Sequence, residues 1–355
     1  MTADQFFEDL LQTLLKESAS DLHLTVGRRP TLRIAGNLIE LAKHPTLTPA
    51  AVKDIVFIML NEAERERYLA EREFDFSYAY KDKARFRANV FFQRGYMGAA
   101  LRYIPAKIRD FNELNLPPIL STLCERPQGF VLVVGPTGHG KTTTLAAMVD
   151  YINRTRTDHV ITIEDPIEYL FTSDRAIVDQ REVGADTKGF HQALRSMFRE
   201  DVDVAMIGEM RDADTIGAAV TAAETGHLIL SSLHTNNAAQ TIDRIIDSFP
   251  GHQQGQIRQQ LAATLVAIVS QRLIPRISGG LIPAVEVLIG TPAVRTLVRE
   301  GKVHELDLVI ETNSDLGMQS LNRSLVDLVR RGEIAMDQAA AYSLNPDELS
   351  VLLRG

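Results

Sequence analysis

The stretch that most constrains this chain is Gly135-Pro136-Thr137-Gly138-His139-Gly140-Lys141-Thr142. It fits the pattern G-x-x-x-x-G-K-[ST] at every fixed position. Phe130-Val131-Leu132-Val133-Val134 comes just before it and reads as a buried strand, and a helical stretch from Thr142 to about Asn153 follows. A strand, a glycine-rich turn and a helix in that order make a cradle for a phosphate chain. Backbone N–H groups of the turn wrap the phosphates, and the helix N-terminus adds its positive end. Lys141 would reach the β- and γ-phosphates, and the Thr142 hydroxyl would ligate Mg²⁺ directly, with other contacts to the metal running through water. ATP and Mg²⁺ are therefore the expected ligands, held by Gly135 to Thr142 together with Thr143. His139 fills a free position of the pattern and receives no role of its own.

The bulk properties narrow the rest. The chain has 355 residues, enough for two or three domains with sizeable cores. Its net charge of -8 offers nucleic acid no overall attraction. A single cysteine, Cys124, excludes an intramolecular disulfide and a cysteine-based zinc site. The N-terminus is acidic and starts an amphipathic pattern, so it does not read as a secretion signal. The apolar run from Leu261 to Val269 is too short to span a bilayer. A cytosolic protein that docks on something at a membrane is expected.

In chain order, Phe6, Phe7, Leu10, Leu11, Leu14 and Leu15 fall at helical spacing, and Asp21 to Val26 alternate as a half-buried strand does. Ala35-Gly36-Asn37 is a turn signal between two short β-runs. Thr48-Pro49 reads as an N-cap with proline at the first helical position, and Val52, Ile55, Val56 and Met59 line one face of the helix that follows. Phe74 to Tyr80, Arg85 to Phe92 and Met97 to Ile104 then supply strands, which makes residues 1–104 a small α+β module. Residues 105–118, with three prolines and few periodic apolar positions, are expected to be a linker and a hinge. From 119 to 355 the style changes. Strands at 130–134, 159–163, 203–207 and 227–231 alternate with helices near 141–153, 189–199, 212–225 and 238–247. Such alternation implies an α/β domain with a mostly parallel sheet and helices on both faces, with ligands at the carboxyl ends of the strands. After about residue 253 the chain is expected to be mainly helical, with one apolar run at Ala284–Ile289.

Each strand of the second module ends in a polar cluster. The phosphate loop follows the first, Glu164-Asp165-Pro166-Ile167-Glu168 the second, Gly208-Glu209-Met210-Arg211-Asp212 the third, and His234-Thr235 closes the run begun by the fourth. Carboxylates at such ends can hold Mg²⁺ through water and orient an attacking water on the γ-phosphate. Taken alone, any one of them could equally be a helix N-cap.

These stretches, with Thr221-Ala222-Ala223-Glu224-Thr225-Gly226-His227, resemble the secretion ATPase superfamily, and within it the type IV pilus retraction ATPases (PilT-like). Ala19-Ser20-Asp21-Leu22-His23-Leu24, Ala84-Arg85-Phe86-Arg87 and Gln180-Arg181-Glu182-Val183 are similar too. Ala293-Val294-Arg295-Thr296-Leu297-Val298-Arg299-Glu300 resembles the motif that marks retraction motors against assembly motors, although Val294 and Thr296 depart from the expected Ile and Asn. The resemblance implies a homohexamer of subunits with a PAS-like N-terminal module and a RecA-like ATPase module. It implies catalytic roles for Glu209, for Glu164 and Asp165, and for His227 and His234 of the His box; without it, each histidine could as well be structural. It also implies arginines that reach a neighbour's nucleotide, for which Arg85, Arg87 and Arg102 are the candidates. Arg85 and Arg87 share a strand face by the period of two. The implied setting is cytoplasmic and peripheral at the inner membrane. The implied partners are a pilus platform protein there and a paralogous retraction ATPase.

Three other readings compete. An accessory (PilU-like) retraction ATPase is suggested by Gln93-Arg94 and by Ile274-Pro275-Arg276 after Arg272. An assembly or type II secretion ATPase would usually carry a tetracysteine insert, which one cysteine cannot build. A RecA-like helicase would want a basic channel and stacking aromatics, and the chain is acidic with no Trp.

Overall fold

The computed structural model describes residues 2–34, 36–81, 84–104 and 107–354. Ala35 of the expected turn, and Pro105 and Ala106 of the expected linker, lie outside the described residues. The chain divides into two compact units, one of residues 1–107 with 166–170, the other of residues 108–165 with 171–355.

The first unit opens with α1 (Ala3–Lys16), started by a capping box in which Thr2 and Gln5 satisfy each other's backbone N–H groups. Its stripe of Phe6, Phe7, Leu10, Leu11 and Leu14 is buried, as the spacing predicts. The short strands β1 (Asp21–Thr25), β2 (Thr31–Ile34) and β3 (Asn37–Glu40) follow, then α2 (Pro49–Met59), α3 (Glu62–Glu71), β4 (Glu73–Tyr80), β5 (Ala84–Gln93) and β6 (Tyr96–Ile104). Thr48 caps α2, and Val52, Ile55, Val56 and Met59 are its buried face. The helix α3 was not anticipated, although Asn61 and Glu64 form a second capping box. Among the described residues the strands pair in the order β3-β2-β1-β6-β5-β4. Along β5 burial alternates, so Phe86, Ala88 and Val90 enter the core while Arg85 and Arg87 share the opposite face.

The second unit begins with an irregular segment and α4 (Ile119–Cys124). Phe111 and Leu116 are buried in its core, and Phe111 packs on Tyr151 with ring centroids 5.5 Å apart. The second half of the expected linker is therefore packed. Two isolated apolar side chains can anchor an irregular segment without any periodicity to announce them. Next come β7 (Gly129–Val134), α5 (Lys141–Thr155), β8 (His159–Glu164), β9 (Ile177–Glu182), α6 (Phe190–Met197), β10 (Val204–Ile207), α7 (Ala213–Glu224), β11 (Leu228–Leu233), α8 (Ala238–Asp247), α9 (Gly251–Thr264), β12 (Leu265–Pro275) and β13 (Leu281–Ile289). The sheet order is β13-β12-β7-β11-β10-β8-β9, parallel except for β13.

The strands are apolar throughout because each face of the sheet has its own core. Phe130, Leu132 and Val134 of β7 face a cluster supplied by α6 to α9. Val131 and Val133 face a second cluster with Leu145, Met148, Val149 and Ile152 of α5 and Leu120 and Leu123 of α4. This is the expected α/β architecture with helices on both sides.

The end of the chain is mainly helical from about residue 253, as expected, but two strands interrupt it. After α9 it returns to the sheet as β12, parallel to β7, and β13 pairs back along it. Leu261–Val269 is one apolar run in sequence, yet its first half ends a helix and its second half is a buried strand; periodicity alone cannot separate the two. The helical end starts with α10 (Pro292–Glu300) and continues through α11 (Leu306–Thr312), α12 (Leu321–Arg330), α13 (Met336–Tyr342) and α14 (Pro346–Arg354). The last three pack on Ile274, Ile282 and Ala284 of the β12–β13 hairpin. Among the described residues no helix is long and apolar enough to cross a membrane.

Gly290 shows how closely the chain after β13 approaches the start of β12. A Cβ there would lie 2.0 Å from the Leu265 carbonyl oxygen, whereas a Cβ on Gly251 would meet nothing within 4 Å. Gly290→Ala is expected to destabilise the chain by about 2 kcal/mol or more. Gly251→Ala, at the start of α9, should be neutral or slightly stabilising. Urea melts of the two variants check this. Equal stabilities would contradict the packing described.

Candidate functional site

The site lies where the parallel strands end, as the connectivity requires. The phosphate loop leaves β7 at Gly135, whose φ is 148°. Any Cβ at Gly135 would lie 2.4 Å from the Gln271 carbonyl oxygen, so glycine is required by close approach as well as by φ. The loop ends at Gly140, the N-cap of α5, at φ 81°. Lys141 and Thr142 then start the helix, so the backbone N–H groups of its first turn have no partner within the helix.

Lys141 is buried, and its ammonium donates to the carbonyls of Gly135 at 2.9 Å and Pro136 at 3.0 Å. It also lies 3.2 Å from Nδ1 of His234, and the Thr137 hydroxyl is 3.2 Å from the same nitrogen. With donors on both sides, Nδ1 acts as acceptor, and the ring proton belongs on Nε2. Nε2 stands 3.2 Å from Oε1 of Glu209. Arg211 donates to Oε2 of the same carboxylate at 2.9 Å. Burial pulls the Glu209 carboxyl upward, but the Arg211 hydrogen bond and charge, with His234, outweigh it and hold Glu209 below the ordinary carboxylate value. An ionised carboxylate thus faces the phosphate loop through one imidazole.

Glu164 ends β8 beside Gly208, the residue just past β10, with its Cα 3.5 Å from where a Gly208 Cβ would sit. It is buried, and Thr162 donates to it at 2.7 Å. Asp165 is exposed, and its charge helps to raise the already high value of Arg211, which Glu209 chiefly causes. Ser232 on β11 donates to the Gly208 carbonyl at 2.6 Å and ties the two strand ends together.

His227 is not brought to this cluster. It precedes β11 where His234 follows it, so by strand rise the two are roughly 20 Å apart. Its Nδ1 lies 3.0 Å from the Ala222 carbonyl, and its ring meets Phe198 edge to face. Arg85, Arg87 and Arg102 belong to the first unit. Arg87 and Arg102 are cross-strand partners; Arg102 donates to Asp21 at 2.9 Å, and Arg87 stands 3.6 Å from Glu168.

In the 293–300 segment, Thr291 caps α10, Val294 and Val298 are buried and Leu297 packs beside them, as the spacing predicts. Ala293, Thr296, Arg299 and Glu300 are exposed. By helical angle Arg295, like Thr296 and Arg299, falls away from that buried face. Its guanidinium folds back to donate to the carbonyls of Gly290 at 3.0 Å and Leu265 at 3.3 Å, so it is an anchor of the helix rather than part of its outer face.

Sequence reasoning missed a polar set on β12 and β13. Ser270 donates to the Asn236 carbonyl at 2.8 Å, and Arg272 donates to Oδ1 of Asn236 at 2.9 Å. Glu286, directly opposite Ser270, accepts from the Ala238 backbone N–H at 2.8 Å. Together they hold the turn that follows His234. A polar pair, Gln271-Arg272, inside an otherwise apolar run was the available signal.

With this geometry in view, the chain belongs to the type II/IV secretion system protein family, whose model matches residues 2–281. It is 44% identical over 339 residues to the type IV pilus retraction ATPase PilT of Pseudomonas aeruginosa, covering 96% of this chain and 98% of that one. It is 40% identical over 349 residues to the type IV pilus ATPase PilU of the same organism, covering 98% and 91%. Among solved structures it resembles a crystal structure of the pilus retraction motor PilT with bound ADP, with a TM-score of 0.89 and 45% identity over 97% of this chain and 98% of that one.

Glu286 yields a pH test. Burial pushes its carboxyl from 4.5 up to about 7; Asp307 adds to the rise, while the Ala238 N–H and Arg272 oppose it. The folded protein therefore keeps this proton where the unfolded chain has lost it. The stability it contributes is fully present below about pH 4.5 and is lost as pH rises through about 7. Glu286→Gln should gain stability relative to the parent on going from pH 5 to pH 8, by up to a few kcal/mol. Melts at both pH values decide; a difference that does not change with pH would contradict the assignment.

Proposed function

We propose that this member of the secretion family is an ATP-hydrolysing motor that powers type IV pilus retraction. The observation that carries the reading is the direct contact chain Lys141–His234–Glu209 at the strand ends, behind a complete phosphate loop. The near-full-length similarity to PilT supports it.

In this reading the loop from Gly135 to Thr143 holds the phosphates of ATP. Lys141 exchanges its carbonyl partners for phosphate oxygens. The Thr142 hydroxyl, on the first turn of α5, would hold the Mg²⁺, which would supply positive charge against the phosphates. Among the described residues no group of three or more His, Cys, Asp or Glu converges to hold a metal. Glu164 and Asp165 would act on the metal through water. Glu209 orients and polarises the attacking water, and His234 links it to the lysine so that the site responds to the γ-phosphate. His227 takes a structural part, beside Phe198.

The working form is a homohexamer in the cytoplasm, docked at the inner membrane on a pilus platform protein, with a paralogous retraction ATPase as a further partner. Arg85, Arg87 and Arg102 complete a neighbouring subunit's site. The Arg87–Glu168 pair is partly exposed and worth at most about 1 kcal/mol, so trading it for phosphate costs little; Arg102 is itself exposed, but its partner Asp21 is buried and keeps the Ser20 hydroxyl when the arginine leaves. The exposed residues Thr296, Arg299 and Glu300 transmit motion rather than perform chemistry. The accessory reading keeps the same site chemistry; it is favoured by the 40% identity to PilU and by Gln93-Arg94.

Glu209→Gln keeps the shape of the side chain and removes its charge. ATP binding should persist while steady-state phosphate release falls at least about 100-fold. Lys141→Ala should instead weaken binding itself. Near-normal hydrolysis by Glu209→Gln would overturn the assignment of Glu209.

A further inference from the structure

His139 fills a free position of the phosphate-loop pattern, yet it is held on three sides. Its carbonyl accepts from the Gln271 side-chain amide at 2.7 Å, and its Nδ1 accepts from the backbone N–H of Leu273 at 2.9 Å. Its ring meets Tyr342 of α13 edge to face, with centroids 6.4 Å apart. Gln271 is itself buried and is held at both ends of its carboxamide, because its Oε1 accepts from the Thr144 hydroxyl at 2.7 Å. One carboxamide thus bridges the loop and the helix that follows it. A Cβ on Gly140 would lie 2.8 Å from Nε2 of Gln271 and one on Gly135 2.4 Å from its carbonyl oxygen, so both ends of the loop rest against this residue. Because Nδ1 accepts a backbone N–H, the ring proton sits on Nε2. Burial, with the charges of Arg272 and Lys141, lowers the affinity of this ring for a second proton.

We propose that Gln271 and His139 are positioning residues for the nucleotide: they latch the phosphate loop onto β12 in the shape that receives phosphate. A phosphate loop binds through backbone N–H groups that must converge, and holding them converged beforehand lowers the conformational entropy lost on binding. Loss of the latch therefore weakens ADP and ATP alike. Turnover of bound ATP is spared, because Glu209 and His234 are carried by other strands. The inference rests on the nucleotide site assigned above.

The test uses the full chain. ADP affinity is measured by calorimetry, and KM and kcat for MgATP by phosphate release, in Gln271→Leu and His139→Ala, with thermal melts to establish folding. The expected result for Gln271→Leu is a rise of about tenfold in both the ADP Kd and the ATP KM, with kcat within about threefold of the parent. A role limited to holding the fold together would lower the melting temperature and leave ADP affinity unchanged in protein that is still folded; that result overturns the proposal. So does a fall in kcat at constant KM. If Gln271→Leu does not fold, Thr144→Val removes one of the same bonds from the other side. Folded Thr144→Val and His139→Ala that bind ADP as the parent does would overturn the proposal equally. If the parent chain itself fails to bind ADP, the nucleotide-site assignment falls and this inference falls with it.

Discussion

The site depends on a single imidazole shared between a cation and an anion. His234 touches Lys141 and Thr137 with one nitrogen and Glu209 with the other. The sheet order is what makes this possible. β11 lies between β7, which carries the phosphate loop, and β10, which carries Glu209. A residue just past the end of β11 is therefore between the two by construction. Had β10 paired directly with β7, the carboxylate would sit against the lysine as a simple ion pair, and no group would stand between the phosphate cradle and the water-orienting acid.

The far side of the loop is governed by β12. This strand runs on past the end of β7, and its Gln271 meets the loop while Ser270 and Arg272, on the other face, hold Asn236 after His234. A buried arginine and a buried glutamate in one patch cost desolvation, and such groups persist where their hydrogen bonds fix a geometry. Here the geometry is that of the two loops that meet at Lys141. The same strand ends among α12 to α14, with Arg276 donating to Glu333 at 2.9 Å. The nucleotide loops and the helical end of the chain thus share one rigid element.

Much of this was legible in sequence, and the failures have definite causes. The phosphate loop, the strand-end acids and the buried stripes of α1 and α2 follow from local rules of spacing and capping. The histidines could not be separated, because a box of residues near one strand says nothing about which end of the strand each occupies; the six-residue length of β11 puts His227 and His234 at opposite ends. Helical angle puts Arg295 away from the buried face, yet a long side chain can curl back to backbone carbonyls, and it does so at Gly290 and Leu265. The latch on the loop was invisible for another reason. It joins residues more than 120 apart through a backbone carbonyl and a carboxamide, neither of which any periodicity marks.

The central claim is that hydrolysis at this site drives withdrawal of pili. The most direct measurement is retraction itself, followed on fluorescently labelled pili in living host cells that lack this chain. The account predicts that pili still extend, that retraction events become rare or slow, and that supplying the parent chain restores them. Retraction at normal frequency and speed in cells without the chain would contradict it.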